Sequence, residues 1–375
     1  MEEHQITTDV YHLSLQPTGC AISYVKRRRH YEQFIEETNL TKKYTGHRLK
    51  GVRDFTKPNY SLGSRDIEKA LINASLEQQG GIKSNTHMSR LPALRDFSRF
   101  LKAETEIRRL NHIDKSVDLL YGEHLKALYE EGAFSAVTAR DYLSHVNRSL
   151  AQARGDDQCV VRATRDLGFA PKSGIALVDG SVPDVLHQRV LAGVTVELQL
   201  VMQLQRFFGM RFREASLFDA QQCLKAIENN ETPSIVRGTK GGQRRLIPIE
   251  TRKQYQLIQE VANYQKQSDS RTLIPERFSF KAFQSHAWRV STTIDAHYKT
   301  HGERKYYACA FYLDRVGVPC PVQSGISHGK EHYQFIANKL SMTLQQAKAL
   351  DLSVRTELSK RLGHHRVEIT NAYLG

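Results

Sequence analysis

Apolar residues recur at helical spacing along most of this chain, and one stretch breaks the pattern. Ile235-Val236-Arg237 and Arg245-Leu246-Ile247-Pro248-Ile249 flank a Gly-containing turn and read as a β-hairpin. The expected fold is mostly α with a small antiparallel β-hairpin or sheet in its C-terminal half. No apolar run approaches the ~20 residues that a membrane helix needs. Glu2 and Glu3 open the sequence without an apolar stretch behind them, so no signal peptide is read there.

Four parts follow from the punctuation. Residues 1–81 form a basic N-terminal segment with possible DNA contacts: Lys26, Arg27, Arg28 and Arg29 cluster, then Lys42, Lys43, Arg48, Lys50, Arg53 and Lys57 follow. Tyr31, Phe34, Tyr44, Phe55 and Tyr60 lie among them. Such a mixture suits a phosphate backbone, and equally a solvated basic face. Gly80-Gly81 marks a break. Residues 82–155 read as a helical bundle. Leu91, Leu94, Phe97 and Leu101 share a face, with Pro92 best placed near the helix start. A second helix covers Val117 to Glu131. A third opens at a capping box of Thr138 with Asp141, and carries Arg140 and Arg148 off its apolar face. Residues 156–178 read as a linker, and 179–375 as a mixed region with an apolar helix from Val194 to Phe208.

Lys plus Arg number 54 against 40 Asp plus Glu, a net charge of +14. A surplus of this size favours a polyanionic partner. Five cysteines (Cys20, Cys159, Cys223, Cys309, Cys320) are scattered without a C-x-x-C pair. That argues against a disulfide framework and a structural zinc site and reads as free thiols in a reducing compartment.

Four short pieces of the C-terminal half share one chemistry. They are Gly209-Met210-Arg211-Phe212-Arg213-Glu214; Lys240 through Ile249, with Arg244 and Arg245; His301-Gly302-Glu303-Arg304; and Leu362-Gly363-His364 followed by Thr370 and Tyr373. Breaking a phosphodiester with a side-chain nucleophile needs fixed cations on the phosphate oxygens and proton donors and acceptors of tuned pKa. Arginine supplies a planar fork that stays charged. Tyrosine can hold the cleaved strand as a covalent phosphodiester, so rejoining needs no nucleotide.

In this order the pieces resemble the boxes of the tyrosine recombinases, the phage-integrase family. The G-x-R-x-x-E kernel is Gly209 to Glu214, with Phe208 where the family has Thr and Leu217 one place early. Lys240 matches the hairpin lysine, His301 to Arg304 the H-x-x-R box (with Lys305 where His is frequent), and Tyr373 stands nine residues after His364. The resemblance implies a helical core-binding domain that clamps DNA at 82–155 and a mixed α+β catalytic domain at 179–375. It implies catalytic roles for Arg211, Lys240, His301, Arg304, His364 and Tyr373. Arg211 and Arg304 would hold the phosphate, Lys240 protonate the leaving oxygen, His301 take the tyrosine proton and His364 donate to the phosphate. Lys26, Arg27, Arg28, Arg29, Arg140, Arg148, Arg244 and Arg245 would contact DNA. No cofactor and no metal are implied; His328 and His332, four apart, have no third ligand in view.

The implied activity is site-specific recombination or integration through a 3′-phosphotyrosine, serving a mobile genetic element. The implied partners are double-stranded recombination sites, three further copies of the chain in a tetramer on two sites, and accessory DNA-bending or directionality proteins; no membrane is involved. The implied location is cytoplasmic, on the bacterial nucleoid. A type IB topoisomerase, a telomere resolvase or a non-catalytic DNA-binding regulator remain alternatives from the same groups. Two departures stand out. Arg304 and His364 are 60 positions apart, so an insertion is read at about 314–352, with a helix from Gln334 to Leu350. Two residues follow Tyr373 here, so either the insertion or the N-terminal segment is expected to couple the subunits, or assembly differs.

Overall fold

A computed structural model describes residues 53–375. Lys26, Arg27, Arg28 and Arg29 lie outside the described residues. The chain divides into two compact units, one ending at Pro171 and the other spanning Lys172–Gly375. Among the described residues no helix is long and apolar enough to cross a membrane.

The first unit is helical. Its main helices are α1 (Ile67–Glu77), α2 (Asn85–Glu104), α3 (Lys115–Glu130) and α4 (Ala136–Arg154), with a short α5 (Ala163–Leu167). Leu71, Leu94, Phe97, Tyr121, Leu143, Val146 and Leu150 meet in one core. The unit extends beyond the expected 82–155 at both ends. Tyr60, Leu62 and Ile67 enter this core from the N-terminal side, and Val161, Leu167 and Phe169 from what was read as a linker. Apolar burial, not the Gly-Gly break, sets the boundary. Arg53 is correspondingly structural: its guanidinium reaches Glu77 at 2.9 Å and the Gln152 carbonyl at 2.8 Å.

Two helix starts differ from the sequence expectation. Ser84 accepts from the His87 amide and opens α2 early, so Pro92 lies inside the helix and not at its start. Ser135, not Thr138, caps α4 by accepting from the Thr138 amide. In both cases a serine oxygen one turn upstream satisfies a free N–H first.

The second unit begins with α6 (Asp184–Gly193), α7 (Val196–Phe208), α8 (Phe212–Ser216) and α9 (Ala220–Glu228). The hairpin is real and small: β1 (Ser234–Ile235) pairs antiparallel with β2 (Arg245–Leu246), Ser234 opposite Leu246 and Ile235 opposite Arg245. A one-turn helix over Lys240–Gly242 forms its tip. Then come α10 (Arg252–Gln267), α11 (Phe280–Ile294) and α12 (Thr300–Val316). The sequence-read insertion forms α13 (Pro321–Ser324), α14 (Lys330–Leu340) and the first half of α15 (Leu344–Arg361). Gln334 to Leu350 is therefore two helices. The break is at Ser341, whose φ is +53°, and Thr343 starts the next helix with Gln346 in a capping box. Val318, Cys320, Ile336 and Ala347 pack with Tyr312, Leu358, Leu362, Tyr373 and Leu374, so these helices share a core with α12 and the C-terminal α16 (Asn371–Leu374).

Candidate active site

Gly209 ends α7 with φ +59°, and the chain turns sharply into α8. A Cβ there would stand 2.5 Å from Tyr307 Cδ1 and 2.8 Å from Leu362 Cδ2, so the turn admits no side chain. The turn presents Arg211 at the head of α8. One turn later Glu214 folds back: it accepts from the Arg211 amide at 2.9 Å and from its guanidinium at 2.6 Å.

Glu214 is 0% exposed and gathers cations from three separate parts of the unit. Arg245 donates to it at 2.9 Å and Arg304 stands 3.8 Å away. Burial alone would raise its carboxyl pKa; Arg245, Arg304 and the Arg211 amide and guanidinium overcome that and hold it below the ordinary range. Glu214 thus orients the arginines and stays ionised.

Arg304 is also 0% exposed. Its Nε donates to Tyr373 Oη at 3.2 Å. Its other nitrogens donate to the Gly209 carbonyl, to the Leu362 carbonyl at 2.7 Å and to His364 Nε2 at 3.1 Å. Burial brings the guanidinium pKa down to about 10, so it remains charged at neutral pH. The same helix points Glu303 the opposite way. There Glu303 binds His187 at 2.8 Å and Arg206 at 2.6 Å, anchoring α12 to α6 and α7.

His364 Nε2 lies 3.1 Å from Tyr373 Oη. Because an Arg304 N–H already points at Nε2, that nitrogen is an acceptor and the ring is neutral. Its pKa is lowered to about 4 by burial and by the charges of Arg304, Arg211 and Lys240. His301 faces Tyr373 with ring centroids 5.9 Å apart. Partial burial and Arg304, Lys305 and Arg211 lower it to about 4 as well. Lys305 therefore acts here as a cation beside His301. Tyr373 is 6% exposed. Tyr306 and Tyr307 are occupied elsewhere, Tyr306 under the Arg206 guanidinium and Tyr307 against Gly209.

Arg211, His301, Arg304, His364 and Tyr373 thus converge, and Lys240 stands exposed on the hairpin tip, close enough for its charge to act on His364. The residues expected to touch DNA divide. Arg148 and Arg244 are exposed, and Arg140 is half-buried, donating to the Ala170 carbonyl and lying over Phe169. Arg245 corrects the expectation. It is 4% exposed and spent on Glu214 and the Arg361 carbonyl, so it is a positioning residue and not a DNA contact. Its place on β2 opposite the buried Ile235 turns it inward.

His328 and His332 find protein partners. His328 Nε2 is 3.3 Å from Asp351 and His332 Nε2 3.1 Å from the Pro319 carbonyl. Among the described residues no cluster of three or more His, Cys, Asp or Glu is arranged to hold a metal. Sequence reasoning missed Arg355 and Asn371, which hold the segment carrying Tyr373; the i,i+4 pairing of Asp351 with Arg355 was the available signal.

Residues 175–310 match the family model described as Integrase. The matched span includes Arg211, Lys240, His301 and Arg304, while His364 and Tyr373 lie beyond it. No curated protein matches the chain.

Proposed function

We propose that this chain cuts and rejoins duplex DNA through a covalent bond to Tyr373, a reading that the match of residues 175–310 to the Integrase family model supports. The observation that carries this reading is the contact of Tyr373 Oη with both Arg304 Nε and His364 Nε2, at 3.2 and 3.1 Å. A hydroxyl held between a fixed cation and a neutral imidazole is poised to lose its proton.

In this reading Tyr373 Oη attacks the scissile phosphate, forms the 3′-phosphotyrosine and releases a 5′ hydroxyl. Arg211 and Arg304 meet the charge growing on the non-bridging oxygens. Lys240, on the exposed hairpin tip, protonates the leaving oxygen. The family resemblance gives the tyrosine proton to His301. His364 is the better placed acceptor for that step, because its Nε2 lies 3.1 Å from Oη, within proton-transfer reach. Attack by a 5′ hydroxyl from another duplex reverses the step and exchanges strands. Four copies on two DNA sites complete the exchange, and the element served is a mobile one.

The test is a trap for the covalent step. The full chain is incubated with nicked duplexes drawn from its own locus, denatured, and examined for a protein–DNA adduct. An adduct lost in Tyr373→Phe and sharply reduced in Arg211→Ala supports the reading. Tight duplex binding with no adduct on any such DNA points instead to a regulator, and site-independent relaxation of supercoiled plasmid to a topoisomerase.

A further inference from the structure

The residues behind Tyr373 form a second polar cluster that the integrase boxes do not include. Its centre is Arg355 on α15, which is buried. Arg355 Nε donates to both Asp351 oxygens, at 3.1 and 3.0 Å. The remaining nitrogens all reach the segment carrying the tyrosine. One donates to Asn371 Oδ1 at 2.8 Å and faces Thr370 Oγ1 at 3.3 Å; the other donates to the Gly375 carbonyl at 3.3 Å. Asp351, itself buried, also accepts from Tyr312 Oη and faces His328 Nε2 at 3.3 Å. From the opposite side, the Ala176 amide donates to the Asn371 carbonyl at 2.8 Å.

Arg355 and the Ala176 amide thus both grip the segment 370–375, and the hydrogen bonds of Arg355 go to Asp351, Thr370, Asn371 and Gly375. Apolar packing would hold a helix end in place at no greater free-energy cost than a buried ion pair. An arginine fork adds direction: its N–H groups fix where three separate acceptors of the segment lie. In-line attack is sensitive to that placement, since an error of about 1 Å costs on the order of a hundredfold in rate. Asp351 and His328 come from the 314–352 insertion, and Tyr312 from the helix before it.

We propose that Asp351, Arg355 and Asn371 form a brace that positions Tyr373 for attack, and that the insertion contributes to building it. The proposal rests on the reading of Tyr373 as the nucleophile. Arg355 and Asn371 are positioning residues: they act through Tyr373 and touch neither phosphate nor leaving oxygen.

The experiment uses the full chain and the nicked duplexes above, with Asn371→Ala and Arg355→Lys. Asn371 is only half-buried, so Asn371→Ala keeps the fold even where Arg355→Lys does not. Four quantities are read: adduct rate, duplex affinity, thermal midpoint, and amide exchange of residues 367–375. Asn371→Ala should slow adduct formation about tenfold or more. It should leave duplex affinity within about twofold and speed exchange in the tail alone. An unchanged adduct rate overturns the brace. So does a slowing matched by an equal loss of duplex affinity or a general drop in the thermal midpoint. If the wild-type chain forms no adduct, or Tyr373→Phe keeps it, the reading of Tyr373 itself falls, and the brace with it.

Discussion

Arg304 donates its Nε hydrogen to Tyr373 Oη at 3.2 Å from a fully buried position, while its remaining nitrogens bind the carbonyls of Gly209 and Leu362. The two residues are 69 positions apart. The same guanidinium that contacts the hydroxyl also ties together the turn that follows α7 and the end of α15. Lysine keeps the charge and loses the fork. Arg304→Lys should therefore lower adduct formation by about 10²–10³, the scale of losing one preorganised donor. It should also lower the thermal midpoint, because carbonyls are left unpaired. Adduct kinetics and a melting curve on one preparation check both.

The two site histidines set the acid side of the pH response. Both pKa values lie near 4 in the folded protein, below the ordinary histidine value. Between about 4 and 6.5 the unfolded chain binds more protons at these sites than the folded one. Stability contributed here is present above about 6.5 and is lost as pH falls toward 4. The adduct rate should stay high through pH 6 and drop only near 4–5. A rate profile with its midpoint near 6.5 would contradict neutral imidazoles held beside the Arg304 and Arg211 charges.

In the proposed reaction Lys240 protonates the leaving oxygen, a role with a chemical signature. A 5′-bridging sulfur leaves as a thiolate and needs no proton. Lys240→Ala should cut the oxygen substrate's adduct rate by about 10²–10⁴, the range for a general acid. It should have little effect on the sulfur substrate. An equal defect on both would assign Lys240 to binding.

Gly209→Ala tests the turn beneath the site. The alanine must adopt φ +59° and place its Cβ 2.5 Å from Tyr307 Cδ1. The left-handed conformation alone costs about 1–2 kcal/mol. The loss should show as a lower denaturation midpoint, with an adduct rate reduced further because the Gly209 carbonyl holds Arg304.

In the helical unit, Asp118 is 0% exposed and neither carboxyl oxygen has a hydrogen-bond partner among the described residues. Burial lifts its pKa to about 8. The folded state therefore keeps a proton that the unfolded state releases, and stability falls as pH rises from about 4 to about 8. Asp118→Asn should be stabilising, and clearly more so at pH 9 than at pH 5. Denaturation at the two pH values reads this directly.

What the sequence determined by itself is local. Helical period, the lone hairpin, the Gly209 turn and the His364-to-Tyr373 spacing all depend on neighbours within a few turns, and they were legible as written. The pieces that carry Arg211, Arg304, His364 and Tyr373 could be named because each box has its own short-range shape. Tertiary structure decided which charges are spent. Arg244 and Arg245 are adjacent in sequence, yet one is exposed and the other is buried against Glu214. Arg355 and Asn371 carried no motif, and Arg53 read as a surface cation. Whether a charge faces water or a buried carboxylate depends on elements that converge from distant parts of the chain. The desolvation cost of burying it is offset only where those elements supply partners in place.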